Sequence, residues 1–147
     1  MKEKTDITPL GLERQITSTW LCVALKVLGV PQESLYFWCD FKPVQERLKL
    51  NERWQLFTGV EAVHYKGNEA QEIVSAFTVA ELGILLPESI ELGEEYRMYH
   101  NKSKDKREIG LVSMASQALL HVELEEKEAD ARAKMLAYLL KNDLIKL

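Results

Sequence analysis

The chain has 147 residues, 46% hydrophobic and 29% charged, with 19 Lys and Arg against 23 Asp and Glu for a formal net charge of −4. This is one domain of globular composition, which excludes wholesale disorder, collagen-like repeats and a disulfide-dense scaffold. The acidic balance works against nucleic-acid binding, where phosphate neutralisation supplies most of the affinity. The longest apolar run, Trp20–Leu25, is six residues, against about 20 for a membrane-spanning helix.

The first fifteen residues are polar and interrupted by Pro9 and Gly11, which predicts a loose start. A helix follows over 18–28. Thr17 or Ser18 can cap it, Gly29 suits its left-handed C-terminal stop, and Pro31 blocks continuation. Trp20, Val23, Ala24, Val27 and Leu28 form its stripe, which Leu21, Cys22 and Leu25 widen to most of the circumference. The aromatic run 34–39 reads as a strand. Residues 42–59 are irregular in pattern, with a short helix expected over Val44–Leu50. Val60–Tyr65 reads as a strand closed by the turn cluster Lys66-Gly67-Asn68, and Glu72–Phe77 as another.

At Thr78 the period changes. Thr78-x-x-Glu81 has the capping-box form, Val79, Leu82, Leu85 and Leu86 make an apolar face, and Pro87 ends the helix. Gly83 inside it permits a close crossing. A hairpin is expected from 95–101 and 107–115 around a polar tip. Leu119–Leu124 is the next strand, with Leu120, Val122 and Leu124 on one face. A helix over 126–142 closes the chain, its stripe made by Ala129, Ala133, Leu136, Ala137 and Leu140. Short connections favour an antiparallel or mixed sheet. The expectation is an α+β sandwich, a single domain of one sheet and about three helices, with 41–70 as an insertion.

Ser75-Ala76-Phe77-Thr78-Val79-Ala80-Glu81-Leu82, followed by Leu85-Leu86-Pro87, resembles the "Ala-Pro-Thr-x-x-Glu-Leu … Leu-Pro" segment of small proteins found in Bacteroidales genomes and phage-like or mobile elements. The closing stretch from Ala129-Asp130-Ala131 through Met135-Leu136 to Asn142 resembles their "Ala-Asp-Ala-x-Ala-x-Met-Leu-x-Tyr-Leu-x-x-Asn" helix. Phe77 stands where the family has Pro. The resemblance covers about half the chain, from residue 72 onward. It implies a cap and a helix face, and it brings no active site.

Chemistry-bearing groups are scattered. His64, His100 and His121 all fall on expected strands but lack the close spacing of a zinc set. Cys22 and Cys39 are not spaced as a ligand pair, and without an apolar leader they read as reduced, cytoplasmic thiols. The glutamates at 91–95 and 123–128 single out no acid–base pair. No nucleophile elbow and no glycine-rich phosphate loop is present. No cofactor or metal is expected, and the balance leans away from an enzyme.

Two surfaces stand out instead. Trp20, Leu21 and Leu25 on the first helix, with Trp54 and Phe57 in the insertion, could anchor a protein partner or a second copy of the chain. Lys102, Lys104, Lys106 and Arg107 at the hairpin tip, with Tyr99 beside them, could touch phosphates and stack a base. The leading expectation is a non-catalytic interaction protein, with a nucleic-acid-associated role as the alternative. A metal- or carboxylate-dependent hydrolase comes third and requires the histidines to converge.

Overall fold

The computed structural model describes residues 10–42, 45, 52–65 and 70–147. The order is α1 (Leu10–Gln15), α2 (Thr19–Val27), β1 (Tyr36–Asp40), β2 (Trp54–Thr58), α3 (Gly59–Tyr65), β3 (Glu72–Ser75), α4 (Val79–Leu85), β4 (Ser89–Glu91), β5 (Glu95–Lys102), β6 (Arg107–Ser113), β7 (Leu119–Glu125) and α5 (Glu128–Lys141). The helix expected at 44–50 and the turn at 66–68 lie outside the described residues. The fold is α+β, but its strands form two sheets where one was expected, β2-β1-β3 and β4-β5-β6-β7. Every pairing is antiparallel.

Helix α5 is the centre of the molecule. Its alanines at 129, 131, 133 and 137 and its Met135, Leu136 and Leu139 are all buried. The small side chains let α2 and α4 approach one side while β6 and β7 lie against another. Leu21 and Leu25 of α2, Leu82 of α4, and Ile109 and Leu111 of β6 complete this main core. Cys39, Phe41 and Ala62 make a second, smaller core, packed with Phe37, Phe57, Tyr65 and Ile73. The rings of Phe41, Phe57 and Tyr65 meet edge-on or tilted, with centroids 4.9–5.8 Å apart.

Local chemistry accounts for the element boundaries. Thr78 Oγ1 accepts from the Glu81 N–H at 3.2 Å, and the Glu81 carboxylate accepts from the Thr78 N–H at 2.8 Å, so the expected capping box starts α4. Gly29 holds φ +86° just beyond α2, a conformation strained for any residue with a Cβ. Gly83 leaves room for Arg132 of α5, whose Nη1 would lie 2.8 Å from an added Cβ.

Two further expectations are corrected. Residues 60–65 are helix α3, not a strand. Val60 and Val63 are exposed. Ala62 and Tyr65, three residues apart, carry the packing face. The 41–70 stretch contributes β2, which pairs with β1 along its whole length. The start is not loose throughout: α1 begins at Leu10, and Ile16 is fully buried and bridges to Thr78.

Candidate functional site, a cleft lined by three tryptophans

Strand periodicity divides the three-stranded sheet into two unlike faces. Cys39, Phe57 and Ile73 pair along the face that packs on α3. Trp38, Asp40, Trp54 and Glu72 share the other face, where Trp54 stands opposite Asp40 and Glu72 flanks it from β3. The exposed flank of α2, with Trp20 and Val23, borders this second face. Between them runs a cleft of about 810 Å³, and all three tryptophans of the chain line it.

Each ring is held differently. The Trp38 indole N–H donates to the Thr17 carbonyl at 3.0 Å. Thr17 is itself fixed, since its N–H and its hydroxyl both donate to the Phe77 carbonyl at 2.9 Å. Arg53 lies over the Trp54 ring, its guanidinium carbon 5.7 Å from the centroid. The same guanidinium grips Asp40 in a two-pronged pair, Nε to Oδ1 at 2.7 Å and Nη2 to Oδ2 at 2.6 Å. That bond to Arg53, aided by the Lys42 N–H, holds the Asp40 carboxyl below the usual carboxylate range. Trp20 is 62% exposed and carries the Lys134 ammonium 5.5 Å from its centroid.

The residues singled out in the sequence divide accordingly. Trp20 and Trp54 face the cleft. Leu21 and Leu25 do not belong to any surface; they are 3% and 0% exposed in the main core, because the helix turns them toward α5. Phe57 sits on the opposite sheet face from Trp54, packed on Phe41 and Tyr65. Trp38 was not singled out for a binding role. Its period-two relation to Asp40 and Trp54 across the β1–β2 register is the signal that identifies it.

The basic hairpin builds a separate groove against α5. Lys102 and Arg107 line a pocket of about 220 Å³ with His100, Glu128 and Arg132. Beside it Lys104 and Arg107 face Arg14 across a second cleft. The arginines of the first pocket are held by contacts within the chain. Arg132 donates twice to Glu128, at 3.0 and 2.7 Å, and Arg107 folds back onto the Ser103 carbonyl at 3.2 Å. Lys106 is exposed at the tip. Tyr99 is not in this groove: it alternates to the far sheet face, where its hydroxyl donates to Glu108. Burial and that contact push its phenol up to about 12.

The histidines do not converge. His100 on β5 lies beside Arg132 and Glu128, and burial, more than the Arg132 charge, lowers its pKa. His121 is two strands away on β7, stacked on Tyr138 at 3.6 Å between centroids. His64 falls in α3, and its side chain is outside what the structure describes. Among the described residues no three His, Cys, Asp or Glu side chains gather as metal ligands. Cys22 and Cys39 are free and buried, and burial raises their thiols to about 12 and about 11. Among the described residues no helix is long and apolar enough to cross a membrane. No family model matches the chain, and no curated protein and no solved structure shows significant similarity to it.

Proposed function

We propose that this chain is a small non-catalytic accessory protein that holds an extended, proline- or aromatic-containing segment of a partner protein in the tryptophan cleft. The observation that carries this reading is the convergence of Trp20, Trp38 and Trp54 on one cleft. Large rings give contact area at low entropic cost, and tryptophan dominates binding hot spots. Spaced aromatic rings with fixed polar neighbours are also how grooves receive extended segments. Nearby hydroxyls are committed to structure: Thr17 to Phe77, and Ser18 to Asp130 at 2.6 Å. The two free, buried thiols support a cytoplasmic setting. The resemblance to phage-like Bacteroidales proteins supports an accessory role in a mobile element.

The test is an NMR titration with a proline-rich peptide carrying one aromatic residue. The indole N–H signals of Trp20 and Trp54 should shift together and saturate, and Trp54→Ala should weaken binding at least tenfold. Unmoved indole signals at millimolar peptide, or unchanged affinity in Trp54→Ala, overturns the reading.

A further inference from the structure

We propose that β7 is a pairing edge, through which two copies of this chain join antiparallel about Val122 into one continuous eight-stranded sheet. β7 closes one side of the four-stranded sheet and spans seven residues, while β4 at the other side has three. Among the described residues, no backbone hydrogen bond ties Leu119–Glu125 to anything but β6. The strand contains neither Lys nor Pro, the residues that commonly blunt an open edge.

The side chains of β7 are inverted relative to an ordinary half-buried strand. His121 stacks on Tyr138 and Glu125 pairs with Lys134, both on α5, so the polar residues face inward. These inward groups have partners within the chain, His121 bonding Glu123 at 2.8 Å and Glu125 pairing with Lys134. Val122 alternates to the outer face, with Leu124 and Leu119, which are 54% and 59% exposed. That face runs on into β6, where Val112 stands opposite Leu119 and Gly110 opposite Val122. An apolar outer face beside an unpaired edge suits a second strand carrying the same pattern.

The sequence of β7 is complementary to itself in one register. Folded antiparallel about Val122, it sets His121 opposite the partner's Glu123 and, by the twofold, repeats that pair. Leu120, the bulge residue of β7, packs toward the main core of its own copy and takes no part in the pairing. A register centred one residue later sets Glu123 opposite its own copy, and one centred a residue earlier does the same with His121. A hydrogen-bonding pair such as His121 with Glu123 suits an antiparallel ladder, whereas like charges directly opposite, as Glu123 on Glu123, destabilise it. A twofold contact requires this self-complementarity. The surface is distinct from the tryptophan cleft, and the inference does not rest on it.

Light scattering after size exclusion, on the full chain at micromolar concentration, should give twice the chain mass. Val122→Cys, a substitution of similar size, should then form a disulfide-linked dimer under mild oxidation, because the two positions face each other across the twofold. Leu124→Cys should not, since its copies lie four residues apart along the paired strands, about 13 Å. The native cysteines are both buried and do not compete. A monomer mass that persists on concentration overturns the proposal. So does a dimer in which Val122→Cys crosslinks no better than Leu124→Cys.

Discussion

The Asp130 carboxylate holds Ser18 across 112 positions of sequence, accepting its backbone N–H at 2.7 Å and its hydroxyl at 2.6 Å. Ser18 occupies the N-cap of α2, yet its own side chain caps nothing in that helix. An acid from the first turn of α5 instead satisfies the exposed end of α2. Lys127, just before α5, donates to the Ile16 carbonyl at 2.8 Å and locks the same junction. Two helix starts are thereby fixed to each other.

Ser18→Ala should cost about 1 kcal/mol, the usual net loss of a side-chain hydrogen bond, here the one to Asp130. Asp130→Ala should cost about 2 kcal/mol, because it strips both bonds and leaves a half-buried N–H without a partner. The double variant should be less destabilised than the sum, with a coupling of about 1 kcal/mol measured by urea denaturation. Strict additivity would mean that the two residues act independently.

This junction shows where the sequence is legible and where it is not. Caps within four residues are readable: Thr78-x-x-Glu81 starts α4 as its spacing requires. A second pattern of that form, Thr58-x-x-Glu61, precedes α3, and Thr58 Oγ1 accepts from the Glu61 N–H at 3.4 Å. Val60 and Val63 also fit a strand, since β-propensity mainly reports packing on a pleated, half-buried surface, and local pattern does not decide between the two. Ser18–Asp130 has no local signature, since it depends on how α5 crosses α2. The cleft is an intermediate case. Trp20 and Trp54 were visible as aromatic anchors, but only the register of β1 with β2 separates Trp54 from Phe57 and adds Trp38.

The Asp40–Arg53 pair makes a pH-dependent contribution. Asp40 is 1% exposed, and its carboxyl titrates below its ordinary value chiefly because Arg53 bonds it. A depressed carboxyl stabilises the fold at pH above the unfolded value of about 3.9, and that contribution disappears as pH falls through the lower folded value. Arg53→Ala should therefore lower the urea midpoint clearly at pH 7. The gap to the parent should narrow as pH falls below the unfolded value and on through the lower folded one. A gap that stays constant with pH would show that Arg53 acts by packing on Trp54 alone.

Gly110 serves the sheet through its missing side chain. It stands opposite Tyr99 in the β5–β6 ladder, and an added Cβ would come within 2.4 Å of the Tyr99 ring. The ring lies across the glycine and delivers its hydroxyl to Glu108 on the neighbouring position. Gly110→Ala should push the ring away, break that bond and cost about 2 kcal/mol, within the range for overpacking. Combining it with Tyr99→Ala should recover most of the loss attributable to the clash. Thermal melts of the two single variants and the double variant measure both effects.

The hairpin lysines separate the nucleic-acid alternative from a solvated tip. Lys102, Lys104 and Lys106 are exposed, and Arg107 is bonded to the carbonyls of Ser103 and Lys106. Replacing the three lysines by Ser should change stability by less than about 0.5 kcal/mol, as for most surface positions. Arg107→Ser should cost more, because it releases the two carbonyls that close the tip. Phosphate binding through this groove would appear as an affinity falling steeply with salt, with a slope that drops by about one for each lysine removed. The acidic total and the placement of Tyr99 on the far sheet face predict no such affinity. A gel-shift series with parent and triple variant between low and physiological salt decides the matter. Tight, salt-sensitive binding by the parent that the triple variant loses would move the functional surface from the tryptophan cleft to the hairpin.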